Sequence, residues 1–325
     1  MTKRLIRKLV TPFFPVADVL LSPFTLLSSL LLFGIRKIRV RNMPVSKRIF
    51  KTVGVFPIVN HYYEPLFDDR QLKQPLDRDR HLRGIDWNNE EQLSLLEKFN
   101  YQEELSGIPW DKPNDLSFFF NNPSLGPGDA EYLYCMIRHF KPARIIEIGS
   151  GYSTLMAKRG VEKNKEEESS YACEQICIEP YEMPWLEKTG VQVIRMLAED
   201  VDISFFCSLQ QNDILFIDSS HIIRPQGDVL FEFLEILPTL QSGVIIHIHD
   251  IFSPKNYTKK HIVEDVLFWN EQYILEAFLT CNDKFAIIGA LNYLKSHFVD
   301  TLNSRLPVLK NNPWHVPGSF WIKKR

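Results

Sequence analysis

The sequence predicts an α/β protein with an open, mostly parallel sheet, and three observations carry that prediction. Short β-branched runs alternate with helix-period segments through the C-terminal two-thirds of the chain. The first of these runs leads through a glycine turn into a helix. Acidic residues stand just past the ends of several later runs. Alternating strand and helix periods build β-α-β units, and such sheets bind ligands beyond the carboxyl ends of their strands.

Residues 11–35 are largely apolar, with Asp18 the only charge, between Lys3, Arg4, Arg7 and Lys8 on one side and Arg36, Lys37, Arg39 and Arg41 on the other. That length is enough to span a bilayer. Pro15 and Pro23 are expected to interrupt the helix, Asp18 is costly at depth, and basic residues on both flanks blunt the asymmetry that sets an orientation. An interfacial anchor therefore fits as well as a span, and an apolar element packed on the protein itself is the alternative. No small-x-small cleavage site follows the Leu-rich run, which disfavours a removed signal peptide. The expectation is a cytoplasmic protein attached to the inner face of a membrane through residues 11–35.

Residues 1–50 form this apolar and basic segment, 51–121 read as a cap or lid, and 122–325 read as the catalytic domain. The middle stretch holds the aromatic run His61, Tyr62, Tyr63, Glu64, Pro65 and a charge cluster over 77–83. It shows one clear helical pattern, over 90–99, where Leu93, Leu96 and Phe99 recur at helical spacing. The aromatic run either packs as a cluster or lines a substrate pocket.

Past the turn signals Asn122, Pro123, Gly126 and Pro127, a helix over 129–139 leads into a strand over 144–148. That strand ends in Glu147, Ile148, Gly149, Ser150, Gly151, Tyr152, Ser153, Thr154 and passes into a helical pattern. The two glycines let the backbone turn tightly and approach a ligand closely, and the helix that follows presents unpaired amide hydrogens. A second strand over 175–178 ends at Glu179, at the distance where a dinucleotide fold places an acid on a ribose. Strands over 191–195, 213–217 and 244–248 follow, ending near Ala198 and Glu199, at Asp218 to His221, and at His249 and Asp250. Helices over 228–240 and 261–279 and strand-like runs over 285–288 and 319–322 complete the chain. A terminal strand pair argues against the second mononucleotide half that an NAD-dependent oxidoreductase would carry.

Composition narrows the partners. A formal net charge of −2 gives no whole-chain attraction to phosphate backbones, so nucleic acid is not expected. The five cysteines, Cys135, Cys173, Cys177, Cys207 and Cys281, are odd in number and contain no C-x-x-C pair. They read as reduced thiols, with Cys173 and Cys177 structural.

From residue 129 to 322 the sequence resembles the class I S-adenosylmethionine-dependent methyltransferases, in particular the small-molecule O-methyltransferase-like group whose first motif reads E-I-G-x-G-x-S-T. The phrases Phe56-Pro57-Ile58, His61-Tyr62-Tyr63-Glu64-Pro65 and Phe216-Ile217-Asp218-Ser219-Ser220-His221 are similar to those of a bacterial subgroup of such proteins. The resemblance implies a Rossmann-like class I methyltransferase fold, a mostly parallel seven-stranded sheet with a closing antiparallel strand, carrying an N-terminal extension. It implies S-adenosylmethionine as cofactor, with Glu147, Gly149, Ser150 and Gly151 around its methionine part, Ser153 near its carboxylate, Glu179 on the ribose, and Ala198 and Glu199 near adenine. Thr154 stands where the dinucleotide pattern has its third glycine, which counts against NAD.

In metal-dependent relatives, carboxylates after the fourth and fifth strands bind a divalent ion that lowers the pKa of the acceptor hydroxyl. Asp218 and Asp250 occupy those places, with His249 as a third ligand and His221 close by in sequence. Oxygen ligands favour magnesium, and histidine also admits manganese, iron or zinc. A metal-free route would use His249 or His221 as general base, assisted by Asp218. His247 alternates with His249 and is expected to be a hydrogen-bonded structural residue. The acceptor implied is a small molecule, a glycan or a lipid-linked group. A membrane-associated protein that binds the cofactor without turnover is the alternative of a different class.

Overall fold

The computed structural model describes residues 11–61, 63–66, 68–114 and 116–325; Lys3, Arg4, Arg7 and Lys8, and Tyr62 of the aromatic run, lie outside the described residues. The chain divides into two compact units, one ending at Lys73 and the other spanning Gln74–Arg325.

The first unit is built on helices α1 (Phe14–Lys37) and α2 (Pro44–Val53). The expected interruption of α1 does not occur. Pro15 falls in the first turn, where its missing N–H costs nothing, and Pro23 lies inside an unbroken helix. The carbonyl of Val19, which Pro23 has no N–H to reach, accepts the Ser22 hydroxyl at 2.8 Å instead. Every apolar side chain from Phe13 to Leu31 that is large enough to pack is exposed on α1. Among the described residues of the first unit, nothing covers this apolar segment. Gly54, in the left-handed conformation, ends α2.

In the second unit, β1 (Arg144–Ile148), β2 (Glu174–Ile178), β3 (Gln192–Ile194), β4 (Ile214–Ile217), β5 (Ile245–Ile248), β6 (Phe285–Ala290) and β7 (Phe320–Lys324) form one sheet in the order β3-β2-β1-β4-β5-β7-β6. β1 to β5 are parallel, and β7 is inserted antiparallel between β5 and β6. This is the Rossmann-like arrangement with its antiparallel closure. The chain winds outward from β1 to β3 and then crosses back to β4, so the switch point lies between β1 and β4.

Strand alternation splits the core in two. Ile145, Phe216 and Trp321 face a layer that includes α3 (Asn89–Glu97), α4 (Gln102–Ser106), α5 (Asp129–Phe140) and α6 (Tyr152–Glu167). Ile146, Ile148, Leu215, Ile217 and Ile322 face α7, which runs from Asp228–Phe231 through a π-turn at Glu232–Ile236, and α8 (Glu271–Leu279). Three short helices, Leu291–His297, Val299–Arg305 and Pro307–Asn311, join β6 to β7 and had no clear sequence signal.

Two expectations need correction. The helix expected over 261–279 is a π-turn at Lys260–Glu264 followed by irregular chain, and α8 begins only at Glu271. The N–H groups of Asn270 and Glu271 both donate to the His221 carbonyl, at 2.9 and 3.2 Å, which fixes where α8 starts. The proposed boundaries at 50 and 121 also move. Leu96, Phe99 and Leu105 are fully buried in the catalytic core, and Gln92 joins the Trp87 carbonyl at 2.5 Å to the Ala290 N–H at 2.7 Å. Asn88 and α3 thus cover the open edge of β6, and this part of the stretch over 51–121 belongs to the folded core of the second unit.

A fragment starting at Gln74 should therefore unfold in one cooperative transition, whereas one starting at residue 122 should not fold; circular dichroism melts would check both. Within the longer fragment, Gln92→Ala leaves two buried backbone groups unpaired and should cost roughly 2–4 kcal/mol by urea denaturation. A mobile lid would show almost no loss.

Candidate active site

The site is built where β1 and β4 diverge. The Asp218 N–H donates to the Ile148 carbonyl at 2.8 Å, and the Gly149 N–H donates to the Ile178 carbonyl at 3.0 Å. Gly149 has φ 76°, and a Cβ there would sit 1.8 Å from the Asp218 carbonyl oxygen. Only glycine allows this backbone crossing. At Gly151 an added Cβ would meet nothing closer than the Met183 side chain at 3.5 Å, so the fold itself tolerates a side chain there.

Gly149, Ser150, Gly151, Ser153, Glu179 and Asp218 line one cleft, together with Tyr152 and Met183. Gly151 caps the N-terminus of the 16-residue α6, whose free amides favour a negative ligand group. The Ser150 hydroxyl is buried without a partner. Glu179 accepts the Tyr181 and Glu182 N–H groups on one oxygen, at 2.9 and 2.8 Å, and only the Ser150 N–H on the other, at 3.4 Å. A buried hydroxyl and a half-used carboxylate are what a ligand with hydroxyl and ammonium groups would satisfy.

Not every expected cofactor residue reaches this cleft. Glu147 is fully buried and accepts from the Thr154 hydroxyl at 2.7 Å and the Cys177 thiol at 3.2 Å. Burial pushes its carboxyl up, against the opposing effect of those two donors. It ties the first turn of α6 to β2 and so positions the glycine turn without lining it. Alternation along β1 is the reason: Glu147 shares a face with Ile145, away from the cleft. Ala198 is buried in the turn after β3, and neither it nor Glu199 lines the cleft.

Beside the cleft, the loops after β4 and β5 converge. Asp218, His221 and Asp250 each offer a ligand atom within 4.8 Å of the others. His221 Nε2 lies 3.3 Å from Asp218 and 3.7 Å from Asp250, while His249 Nδ1 lies 3.5 and 3.8 Å from the same two carboxylates. The structure thus adds His221 to the set expected from Asp218, His249 and Asp250. His249 is 5% exposed, and neither ring nitrogen makes a hydrogen bond. His247 is the structural residue expected, with Nε2 2.9 Å from the Ser319 hydroxyl and its ring stacked on Phe216.

Charge in this cluster is tightly balanced. Burial disfavours a charged His249, but the Asp218 and Asp250 carboxylates outweigh it and push the imidazole up to about 10. Burial also opposes charge on His221, and Asp218 and Glu271 raise it well above its usual value. In return, His249 and His221 hold Asp218 far below the carboxylate range despite its burial.

Sequence reasoning missed the residues behind His221. Glu271, wholly buried, meets His221 Nδ1 at 2.7 Å, and the Trp269 ring lies 4.3 Å from the imidazole. Asp228 accepts the Ser220 N–H at 2.9 Å and the Ser220 hydroxyl at 2.6 Å, bracing the same loop. Nothing local signals a partnership across 50 positions; only the break at 265–270 could have hinted that α8 starts on this loop.

Residues 146–251 match a family model described as a methyltransferase domain. An uncharacterized protein of Archaeoglobus fulgidus is 30% identical over 183 residues, covering 52% of this chain and 80% of that protein. Among solved structures, the O-methyltransferase from Bacillus cereus in complex with S-adenosylhomocysteine is similar at 14% identity, over 74% of this chain and 98% of that one, with a TM-score of 0.37. The O-methyltransferase TomG from Streptomyces achromogenes, in complex with S-adenosylmethionine, is similar at 14% identity, over 73% of this chain and 96% of that one, with a TM-score of 0.37.

The two glycines should separate experimentally. Gly149→Ala forces a Cβ into the Asp218 carbonyl and should lower the melting temperature sharply or prevent soluble expression. Gly151→Ala should melt within a few degrees of the wild type and lose at least tenfold in affinity for S-adenosylmethionine by calorimetry. Equal losses of stability in both would contradict the distinction.

Proposed function

We propose that this chain, which belongs to the class I S-adenosylmethionine-dependent methyltransferases, transfers the methyl group to a hydroxyl oxygen of a small-molecule acceptor, aided by a divalent metal ion at Asp218, His221 and Asp250. One observation carries this reading: Asp218 belongs to both the cofactor cleft and the ligand group, so the two binding functions meet at one side chain.

The donor set fits a divalent ion. Two carboxylates and an imidazole gather within coordinating reach, and Glu271 holds the far nitrogen of His221 as an orienting carboxylate does in metal sites. His249 stands ready as a fourth group on the same oxygens. Mixed oxygen and nitrogen donors favour manganese, iron or zinc somewhat over magnesium. A bound ion would lower the pKa of an acceptor hydroxyl beside it. The protein's own work is alignment. Gly151 leaves space for the cofactor, Ser153 and the start of α6 bind its carboxylate, and Glu179 holds its ribose. The acceptor oxygen must then lie in line with the methyl carbon and the sulfonium sulfur. The oxygen–carbon bond forms, the carbon–sulfur bond breaks with its electron pair staying on sulfur, and the hydroxyl proton, made more acidic by a bound ion, leaves to solvent.

The metal-free route is less well supported. A general base needs an unprotonated nitrogen, and the neighbouring carboxylates favour the charged form of both His221 and His249. A divalent ion among those carboxylates would supply that positive charge instead.

The place of action belongs to this reading as well. The helix Thr11–Lys37 has a mean hydropathy of 1.9 over its most apolar window, none of it buried, and we take it to hold the enzyme on the cytoplasmic face of a membrane. A glycan or lipid-linked acceptor would then lie within reach.

Calorimetry should show S-adenosylmethionine binding to the wild type, and its absence would overturn the assignment. Asp250→Asn should weaken Mn²⁺ binding by more than the roughly 10–100-fold that loss of an outer-shell partner costs, while leaving cofactor affinity within about threefold. Methyl transfer from labelled cofactor into a cell extract should stop on chelation and return with added Mn²⁺; transfer that survives chelation would exclude the metal. Deleting residues 1–40 should shift the protein from the membrane fraction to the soluble one.

A further inference from the structure

The base of α1 carries a second binding site that the methyl-transfer reading does not use. A cavity of about 850 Å³ in the first unit is lined by Arg36, Lys37, Arg39, Arg41 and Lys47 among aromatic side chains that include Phe33 and Phe56. Glu64, its one carboxylate, is committed to an ion pair with Arg36. Among the described residues no carboxylate stands within ion-pair distance of Arg39, Arg41 or Lys47. Arg39, at φ 71°, turns the backbone sharply where α1 ends, and the short turn Val40–Asn42 and α2 fold back beside it. Arg39, Arg41 and Lys47 are exposed to solvent, and their combined positive field would attract an anion to the cavity they line.

The helix above this cavity indicates which anion. On a helical wheel, Val16, Val19, Leu20, Leu21, Phe24, Leu26, Leu27, Leu30 and Leu31 spread around most of the circumference, Asp18, Ser22, Thr25 and Ser29 share one narrow strip, and Ser28 lies near it, next to Leu21. An interfacial helix has a broad polar face; a helix apolar almost all round suits a spanning position. The strip is partly self-satisfied, since Ser22 and Thr25 donate to the Val19 and Leu21 carbonyls at 2.8 and 3.2 Å. The 24 residues of α1 rise about 36 Å, against a hydrocarbon core of about 30 Å. Placed across a bilayer, the last turn of α1, which supplies Phe33 and Arg36 to the cavity, falls at the level of the lipid phosphates.

We propose that this cavity binds the phosphate headgroup of an anionic membrane lipid, with Arg39, Arg41 and Lys47 as its ligands and α1 spanning the adjacent bilayer; this rests on the membrane attachment proposed above. A basic cluster directly after a spanning helix is the arrangement that anionic leaflets attract. The lipid would fix the first unit at the surface by both charge and headgroup fit.

The full-length chain can be tested by flotation with vesicles of phosphatidylcholine alone and of phosphatidylcholine with one-quarter phosphatidylglycerol, at 50 and 300 mM NaCl. Attachment to both is expected, with at least fivefold stronger partition to the anionic vesicles at low salt. The triple variant Arg39→Gln, Arg41→Gln, Lys47→Gln should keep neutral-vesicle attachment and cofactor affinity while losing that preference. Arg39→Lys with Arg41→Lys should retain it. Equal partition of the wild type, a preference that survives in the triple variant, or a preference abolished by 5 mM inorganic phosphate at constant ionic strength would each overturn the headgroup site while leaving membrane attachment intact. Attachment to neither vesicle would overturn both.

Discussion

Everything at the catalytic edge depends on one backbone contact, the passage of Gly149 against the Asp218 carbonyl. β1 and β4 are neighbours in space but are separated in sequence by β2 and β3, and their chains leave the sheet in different directions. Because residue 149 has no Cβ, the two exits can lie in contact, and the cofactor turn and the acidic loop become one surface. A wider separation would leave a glycine loop and a carboxylate cluster with no shared residue. The contact makes Asp218 common to both.

Around this contact, carboxylates whose charge is satisfied by backbone amides set the loops. Asp129 accepts the Gly318 and Ser319 N–H groups at 3.0 and 2.7 Å, which fixes the approach to β7. Glu131 accepts from Gly128, Val308 and Leu309 and gathers three chain segments at one point. Glu179 does the same for the turn after β2, and Asp228 for the loop after β4. Removing such a carboxylate exposes several buried donors at once, so each holds its loop more firmly than a single hydrogen bond would suggest. Asp129, Glu131 and Asp228 serve their loops, Glu179 divides its two oxygens between its turn and the cleft, and Asp218 and Asp250 face the candidate site.

That division explains what the sequence could and could not reveal. Strands were legible because buried parallel strands are short β-branched runs, and Gly149, Gly151, Glu179, Asp218 and Asp250 were legible because ligand sites follow strand ends. Glu147 was misplaced although its motif position was right, since only the alternation along β1 tells that it turns inward. The partnership of Glu271 with His221 depends on where α8 starts, and the cover that α3 gives depends on β6 being an edge strand; both are tertiary facts. Pro23 misled for a local reason, because the Ser22 hydroxyl takes over the carbonyl that proline leaves unpaired.

Two backbone conformations at the site bear on the metal reading. His221 has φ 59° and Asp250 has φ 55°, a left-handed geometry that costs an L-residue about 1–2 kcal/mol and glycine almost nothing. Glycine at either position would relax the backbone. The turn at Asp250 is held without its side chain, through the Ile251 N–H to the Gly318 carbonyl, whereas the loop at His221 is held both by its carbonyl, which receives the Asn270 and Glu271 N–H groups, and by its ring, which meets Glu271. The His221 and Asp250 side chains lie within 4 Å of one another and gather with Asp218, which lines the cleft. On the metal reading proposed above, the strain at these two positions would be offset by the ion that the two side chains jointly hold.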